Sequence, residues 1–220
     1  MEDMLAAVQE DARETGALTG LPRFHDRVMA ALAAVPRHEF VGPRERDHAY
    51  DNTPLPIGEG QTISQPFVVA LMTELLDIGE PDGGTRARIL EIGTGCGYQA
   101  AVLAALGAEV YSIEVLPTLA AAAAERLARL GYSRVQVRAG QGRDGWAEAG
   151  PFDGIIVTAA GEVIPQALID QLAAPGRLVA PVGPDRGAQE LVVVEKTGTG
   201  ETRQRTILPV AFVPLREGPP

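Results

Sequence analysis

One stretch constrains the fold more than any other: Arg88-Ile89-Leu90-Glu91-Ile92-Gly93-Thr94-Gly95-Cys96-Gly97-Tyr98-Gln99-Ala100. A short apolar run gives way to alternating glycines and then to an alanine-rich tract that lasts to Leu106. That order predicts a buried strand, a tight loop and a helix N-terminus. Glycines let the loop backbone take positive φ and let a ligand approach closely. The first turn of the helix leaves N–H groups unpaired, and these favour an anionic or acceptor-rich group. A nucleotide-type ligand is therefore expected over this loop.

Spacing separates the candidate ligands. A dinucleotide fingerprint reads G-x-G-x-x-G and a phosphate-binding loop reads G-x-x-x-x-G-K-[ST]. Here the glycines are Gly93, Gly95 and Gly97, in the form E-x-G-x-G-x-G, with no Lys-Ser or Lys-Thr after them. An acid, Glu114, ends the next apolar run, Val110-Tyr111-Ser112-Ile113. In a βαβ unit such an acid reaches ribose hydroxyls. The loop resembles the S-adenosylmethionine loop of Rossmann-like methyltransferases more than an NAD loop. A glycine turn with no ligand is the bland alternative.

The rest of the chain alternates around this unit. Strands are expected at 89–92, 109–114, 134–138, 154–158 and 177–182, with helices at 98–106, 117–130 and 164–173 between them. The run Ala120 to Ala124 has maximal helix propensity. Runs 190–195 and 205–213, separated by Thr197-Gly198-Thr199-Gly200, read as an antiparallel hairpin closing the sheet. Strand–helix alternation implies an α/β fold with a mostly parallel, doubly wound sheet, whose ligands bind beyond the carboxyl ends of the strands. Glu91 to Gly97, Glu114, the 140–146 loop and Thr158-Ala159-Ala160 all fall at those ends.

Upstream, residues 1–20 read as a short helix followed by a loop. Leu21-Pro22 opens a second helical pattern, with Phe24, Val28, Leu32 and Val35 on one face and Pro36 as its stop. Asn52 to Gln65 is Pro- and Gly-rich and reads as an irregular segment, long enough to be functional. Pro66 suits the first position of a helix running through Leu76. Asp77 to Arg88 reads as a connector, so the expected division is an N-terminal helical cap with a substrate loop (1–78) and a cofactor domain (79–220), joined as one compact unit.

Composition bears on partners and location. The chain has 220 residues, 45% of them apolar, and a formal net charge of −10. That charge argues against broad nucleic-acid contact, where affinity comes largely from Lys and Arg on phosphates. Cys96 is the single cysteine, so no intrachain disulfide is possible, which fits a reducing compartment. Met1-Glu2-Asp3-Met4 lacks a basic leader region, and no run approaches the roughly 18 apolar residues of a membrane span. A cytoplasmic protein, without membrane or nucleic-acid partners and monomeric, is the expectation.

Single residues admit two readings. Glu91 either orients a cofactor amino group or caps the loop. Gln141 and Gly142 lie where an adenine edge would fall. Cys96 reads as a small loop residue near the cofactor, not as a nucleophile, since no basic partner is evident. Ser64, at a helix start, could be an ordinary capping hydroxyl. No G-x-S-x-G elbow surrounds it, which argues against a serine hydrolase. His25, His38 and His48 lack compact metal-ligand spacing, and no metal is expected. After the strand ending at Thr158, an N/D-P-P-Y-type motif for DNA amino-methylation is absent.

Longer strings carry a family resemblance. They are Val35-Pro36-Arg37-His38-Glu39-Phe40-Val41, Ala49-Tyr50-Asp51, Pro54-Leu55-Pro56-Ile57-Gly58, Gly60-Gln61-Thr62-Ile63-Ser64-Gln65-Pro66, Phe152 to Ala160, Gly176 to Gly183 and Phe212-Val213-Pro214-Leu215. Across residues 21 to 215 the chain resembles protein-L-isoaspartate O-methyltransferases. The Gly60 to Pro66 string is its most specific match. The resemblance implies methyl transfer from S-adenosylmethionine to the α-carboxyl of an L-isoaspartyl residue in damaged proteins, releasing S-adenosylhomocysteine. The ester then closes to a succinimide unaided, and hydrolysis returns some normal aspartate.

By the same resemblance Ser64 is the active-site residue, and Ile57, Thr62, Ile63 and Ser64 contact substrate. Gln61, Thr62, Ile63, Ser64, Glu91, Gly93, Thr94, Gly95, Cys96, Gly97, Glu114, Val115, Gln141 and Gly142 hold the cofactor. There is one departure. The family usually has Gly-Asp-Gly where this chain has Gly140-Gln141-Gly142. A glutamine oxygen still accepts a hydrogen bond but carries no charge, so a somewhat looser cofactor grip is expected. The departure leaves room for a rival, a carboxyl methyltransferase for an aspartate of one biosynthetic peptide. A third reading, of a different class, is a non-catalytic S-adenosylmethionine-binding protein.

Overall fold

Seven strands form one sheet in the order β5-β4-β3-β6-β7-β8-β9 in a computed structural model that describes residues 1–79, 86–185 and 187–216. The strands are β3 (Arg88–Ile92), β4 (Glu109–Glu114), β5 (Val135–Ala139), β6 (Phe152–Val157), β7 (Leu172–Val182), β8 (Gln189–Lys196) and β9 (Thr202–Val210). The first five run parallel, and β8 and β9 run antiparallel. Chain order reverses between β3, flanked by β4, and β6. That reversal opens a crevice at the carboxyl ends of the strands, as the doubly wound pattern requires.

Helices α4 (Tyr98–Ala105), α5 (Pro117–Arg129) and α6 (Gln166–Gln171) connect the strands. Alternation along β3 sorts its side chains. Leu90 and Ile92 face a core shared with Tyr111, Phe152 and Leu168, while Ile89 joins the opposite core with Tyr98 and Ala101 of α4. Glu91 shares the parity of Ile89, so it lies beneath α4.

Before the sheet come α1 (Glu2–Thr19), α2 (Asp26–Ala34), a hairpin of β1 (Leu55–Gly58) and β2 (Gln61–Ile63), and α3 (Pro66–Leu75). One core runs through both halves of the chain, from Val8 and Phe24 to Val193 and Leu208. Half of the expected connector, residues 80–85, lies outside the described residues, next to the expected boundary at 78/79.

Four expectations need correction. The first twenty residues are not a short helix and a loop but one 18-residue helix, because Met4, Val8 and Ala12 recur every four residues and are buried. Gly20, at φ 74°, stops it. The second helix starts only at Asp26; Phe24 is buried ahead of it, and its backbone N–H and C=O both pair with the Gln9 side chain. Asn52 to Gln65 is not irregular throughout, since Leu55 pairs with Ile63 and Pro56 with Thr62 across a tight turn. Finally, β7 begins at Leu172, five residues early. Pairing of Leu172 with Phe152 draws Pro175 and Gly176 into the strand and leaves α6 only six residues.

Candidate active site

The loop after β3 is built by its glycines. Gly93, Gly95 and Gly97 have φ of 96°, 54° and 89°. The amides of Gly93 and Thr94 donate to Ile113 O (2.8 and 3.3 Å), binding the loop to β4. A Cβ on Gly93 would lie 2.5 Å from Thr158 Oγ1, and one on Gly142 would lie 2.4 Å from Ile92 Cγ2. Neither position has room for a side chain. Gly97 packs outward, where a Cβ would meet Leu127 at 3.0 Å, so its function is packing against α5.

Glu114 ends β4 and is buried. Its carboxylate accepts from Gly95 N (2.8 Å) and from Leu116 N (3.1 Å). Those bonds fix the acid at the rim and leave lone pairs for hydroxyls. A cleft of about 550 Å³, including its open mouth, runs over the loop. Of the residues expected from sequence it is lined by Gln61, Thr62, Gly93, Gly95, Glu114, Val115 and Gly142. Its apolar walls include Ile92, Ile113 and Leu215, and Thr158, Ala159 and the stretch from Val213 to Arg216 also line it.

Thr94, Cys96, Ile63 and Ser64 line a smaller chamber beside it, with Thr62, Gly93, Gly95, Tyr98 and Thr158. Ile57 sits on the hairpin and reaches over the loop, its Cδ1 3.3 Å from where a Gly95 Cβ would be. Gln141 begins the short 3-10 turn Gly142–Asp144, and its neighbour Gly142, not Gln141 itself, is among the cleft-lining residues. Cys96 is buried, which pushes its thiol up, away from the reactive thiolate form. Glu91 does not reach the cleft. It is fully buried and accepts a hydrogen bond from Ser112 Oγ, which in turn bonds Thr94 Oγ1 (2.6 Å). Its carboxyl, pushed up to about 8 mainly by burial, supports the loop from below.

A third cavity, a groove of about 1600 Å³ by the same measure, runs from Asp11, Glu14 and Leu18 of α1 past Ser64 to Leu208–Val213. Ser64 does not cap α3. That helix begins after Gln65 without a side-chain cap, and Phe67 N donates to Asn52 Oδ1 (3.0 Å). Asp11 receives both Asn52 Nδ2 (2.8 Å) and Gln65 Nε2 (3.2 Å), so α1 holds the capping residue in place. Ser64 therefore lines both the groove and the smaller chamber without a capping duty.

Sequence reasoning placed Thr158 at the ligand-binding strand ends without giving it an individual role, and gave no site role to the wall from Val213 to Arg216. The chain returns to the crevice there through Ala160 N to Val213 O (2.8 Å) and Leu215 N to Ala160 O (2.7 Å). Phe212-Val213-Pro214-Leu215 did carry family resemblance, which was the available signal. The histidines lie elsewhere: His25 pairs with Glu74, His38 with Tyr50 and His48 with Asp51. Among the described residues no group of three or more His, Cys, Asp or Glu is placed to hold a metal ion.

Comparison with known proteins joins this geometry to a family. The family model for Protein-L-isoaspartate(D-aspartate) O-methyltransferase (PCMT) matches residues 19–219. Protein-L-isoaspartate O-methyltransferase 2 of Syntrophobacter fumaroxidans is 54% identical over 215 residues, covering 98% of this chain and 85% of that protein. The protein of the same name from Polaromonas sp. is 53% identical, covering 98% of each. A solved protein-L-isoaspartate O-methyltransferase aligns with a TM-score of 0.81 at 25% identity, over 97% of this chain and 66% of that one. The fold is shared with a beta-aspartate methyltransferase (PCMT) from Plasmodium falciparum solved in complex with S-adenosyl-L-homocysteine, at a TM-score of 0.75 and 24% identity over 96% and 97% of the two chains. The glycine loop, the acid at the end of β4 and the serine just after the hairpin thus sit in a chain matched almost end to end, and the protein belongs to the protein-L-isoaspartate(D-aspartate) O-methyltransferase family.

Proposed function

We propose that this chain performs its family's reaction, transfer of a methyl group from S-adenosylmethionine to the α-carboxyl of an L-isoaspartyl residue in a damaged protein, with the cofactor in the glycine-loop cleft and the substrate in the groove beside α1. The observation that carries this assignment is the meeting of cleft and groove at Thr62 and Thr158, with Ser64 on the groove side.

The cleft's residues fit an adenosyl sulfonium. Gly93 and Gly142 leave backbone where side chains cannot be placed, Glu114 offers carboxylate lone pairs to a diol, and Ile92, Ile113 and Leu215 flank a space for a purine. When bound, the cofactor supplies an electrophilic methyl and departs as a neutral thioether. The nucleophile needs no activation, because an α-carboxyl has a pKa of roughly 3.3–3.7 and is ionised near neutrality. The chain's task is alignment, at about 3–3.5 Å between reacting atoms, and exclusion of water. Ser64 donates to the substrate carboxylate, Thr62 and Ile63 flank it, and Ile57 holds the hairpin down on Gly95.

Substrate class is tested by giving the enzyme labelled cofactor and either an isoaspartyl peptide or its aspartyl twin, then counting base-labile methanol. Label from the isoaspartyl peptide alone is expected; label from the aspartyl twin would move the assignment to a dedicated carboxyl methyltransferase. Ser64→Ala is expected to lower kcat about 10- to 100-fold, the worth of one hydrogen bond to a charged group. Its cofactor dissociation constant should stay within about twofold, because the hydroxyl acts on the other reactant. Equal losses in turnover and cofactor affinity would make Ser64 a cofactor-pocket residue instead.

The reading extends to a monomer working in the cytoplasm on proteins, not on nucleic acid or membranes. The net charge of −10 supports the exclusion of nucleic acid, and among the described residues no helix is long and apolar enough to cross a membrane. Light scattering on the purified chain checks the monomer.

A further inference from the structure

Three cavities converge at the carboxyl end of the sheet, and two residues line all three of them: Thr62 on β2 and Thr158 after β6. Thr62 is exposed on the hairpin, whereas Thr158 is half-buried and fixed. The Thr158 amide donates to Ile92 O (2.9 Å). Its hydroxyl lies 2.6 Å from Gly93 O and 3.1 Å from Ile92 O. A threonine hydroxyl has one hydrogen and two acceptor lone pairs. Both near neighbours are carbonyl oxygens, which only accept, so the hydrogen is committed to the backbone, with Gly93 O the nearer.

What the hydroxyl turns toward the junction is therefore acceptor character. An oxygen of that kind repels a carboxylate and attracts the positively polarised C–H groups of a sulfonium methyl, a weak C–H···O contact of the sort that fixes geometry. The same two carbonyls tie the hydroxyl to the glycine loop, so closely that a Cβ on Gly93 would fall 2.5 Å from it. We propose that Thr158 is a positioning residue for the methyl donor, its backbone-pinned hydroxyl holding the sulfonium methyl at the junction of cleft and groove while Ser64 holds the carboxylate from the other side. This rests on the methyl-transfer reading given above.

The test compares Thr158→Val, which keeps the shape and removes the oxygen, with Thr158→Ser, which keeps the oxygen. Titration calorimetry with S-adenosylmethionine and, separately, S-adenosylhomocysteine is the first readout, since only the former carries the methyl and the charge. Thr158→Val is expected to lose about fivefold in affinity for S-adenosylmethionine and less than about twofold for the thioether, while Thr158→Ser keeps the wild-type ratio. With an isoaspartyl peptide, the valine variant should show kcat lowered about tenfold and the peptide KM within about twofold, and serine should rescue it. Should the valine variant fail to fold, Thr158→Ala removes the same oxygen. Equal loss of affinity for both ligands, or an unchanged ratio, overturns the proposal. A wild-type enzyme that leaves the isoaspartyl peptide unlabelled overturns the substrate reading instead, and the calorimetric ratio still decides for or against Thr158.

Discussion

Gly93→Ala should raise the cofactor dissociation constant about 100-fold or more and lower stability by about 1–3 kcal/mol, the cost of a residue forced into a sparsely populated backbone region. Two independent causes act at that position. Its φ of 96° is one that L side chains rarely adopt. The added Cβ would also fall 2.5 Å from Thr158 Oγ1, so either the loop or the hydroxyl must move, and both line the cleft. Gly97→Ala is the control. Its φ of 89° brings a similar strain, but the new methyl would press on the Leu127 side chain at 3.0 Å, away from the cleft. Both variants should therefore melt earlier than wild type, while only Gly97→Ala should still be stabilised by added S-adenosylmethionine as mass action requires. If Gly97→Ala loses ligand stabilisation as fully as Gly93→Ala, the loop as a whole sets affinity and the Gly93–Thr158 contact has no special place in it.

The contrast between those two glycines also shows what the sequence could and could not say. All three loop glycines read alike in the string, and positive φ was foreseeable for each. Which of them faces the cleft and which faces α5 depends on Leu127 and Thr158, some 30 and 65 positions downstream. Strands β3, β4 and β6 were legible because buried parallel strands read as apolar runs bounded by turn residues. Glu114 was legible because it ends such a run. The hairpin was hidden by Pro54, Pro56, Gly58 and Gly60, which are loop residues by composition, yet Pro56 and Gly58 pair within a short ladder from Leu55 to Ile63. The wall from Val213 to Arg216 was hidden for a different reason: it is tertiary, made by a return of the chain beside Ala160. Residues of that kind leave no local pattern, and only long-range resemblance in the Phe212 to Leu215 string pointed to them.

Glu91 shares the α4 side of its strand with Ile89, and it carries the second large effect. It lies under α4, wholly buried, with Ser112 bonded to one oxygen and the other oxygen without a hydrogen-bond partner. Burial disfavours the charged form first; the Ser112 hydrogen bond opposes it, and the nearby Glu114 carboxylate adds to it, leaving the carboxyl at about 8 instead of 4.5. Near pH 7 the folded protein holds this proton and the unfolded chain does not. Stability therefore falls as pH rises through the window from 4.5 to about 8 and levels off above it, since the folded state binds more protons throughout that window. Glu91→Gln replaces the neutral acid by a neutral amide of the same shape. Below about pH 4 variant and wild type should unfold at similar urea concentrations; at pH 8.5 the variant should be more stable by about 4–5 kcal/mol, reckoned at about 1.4 kcal/mol per unit of the shift from 4.5 to about 8. His25 and His48, both raised by hydrogen-bonded carboxylates, add their own loss of stability as pH rises, but they are exposed and common to both proteins, so the difference between the two curves isolates Glu91. Parallel curves across the range would mean that the buried carboxyl ionises freely in the folded protein, and with it would go the view of Glu91 as a neutral support beneath the glycine loop.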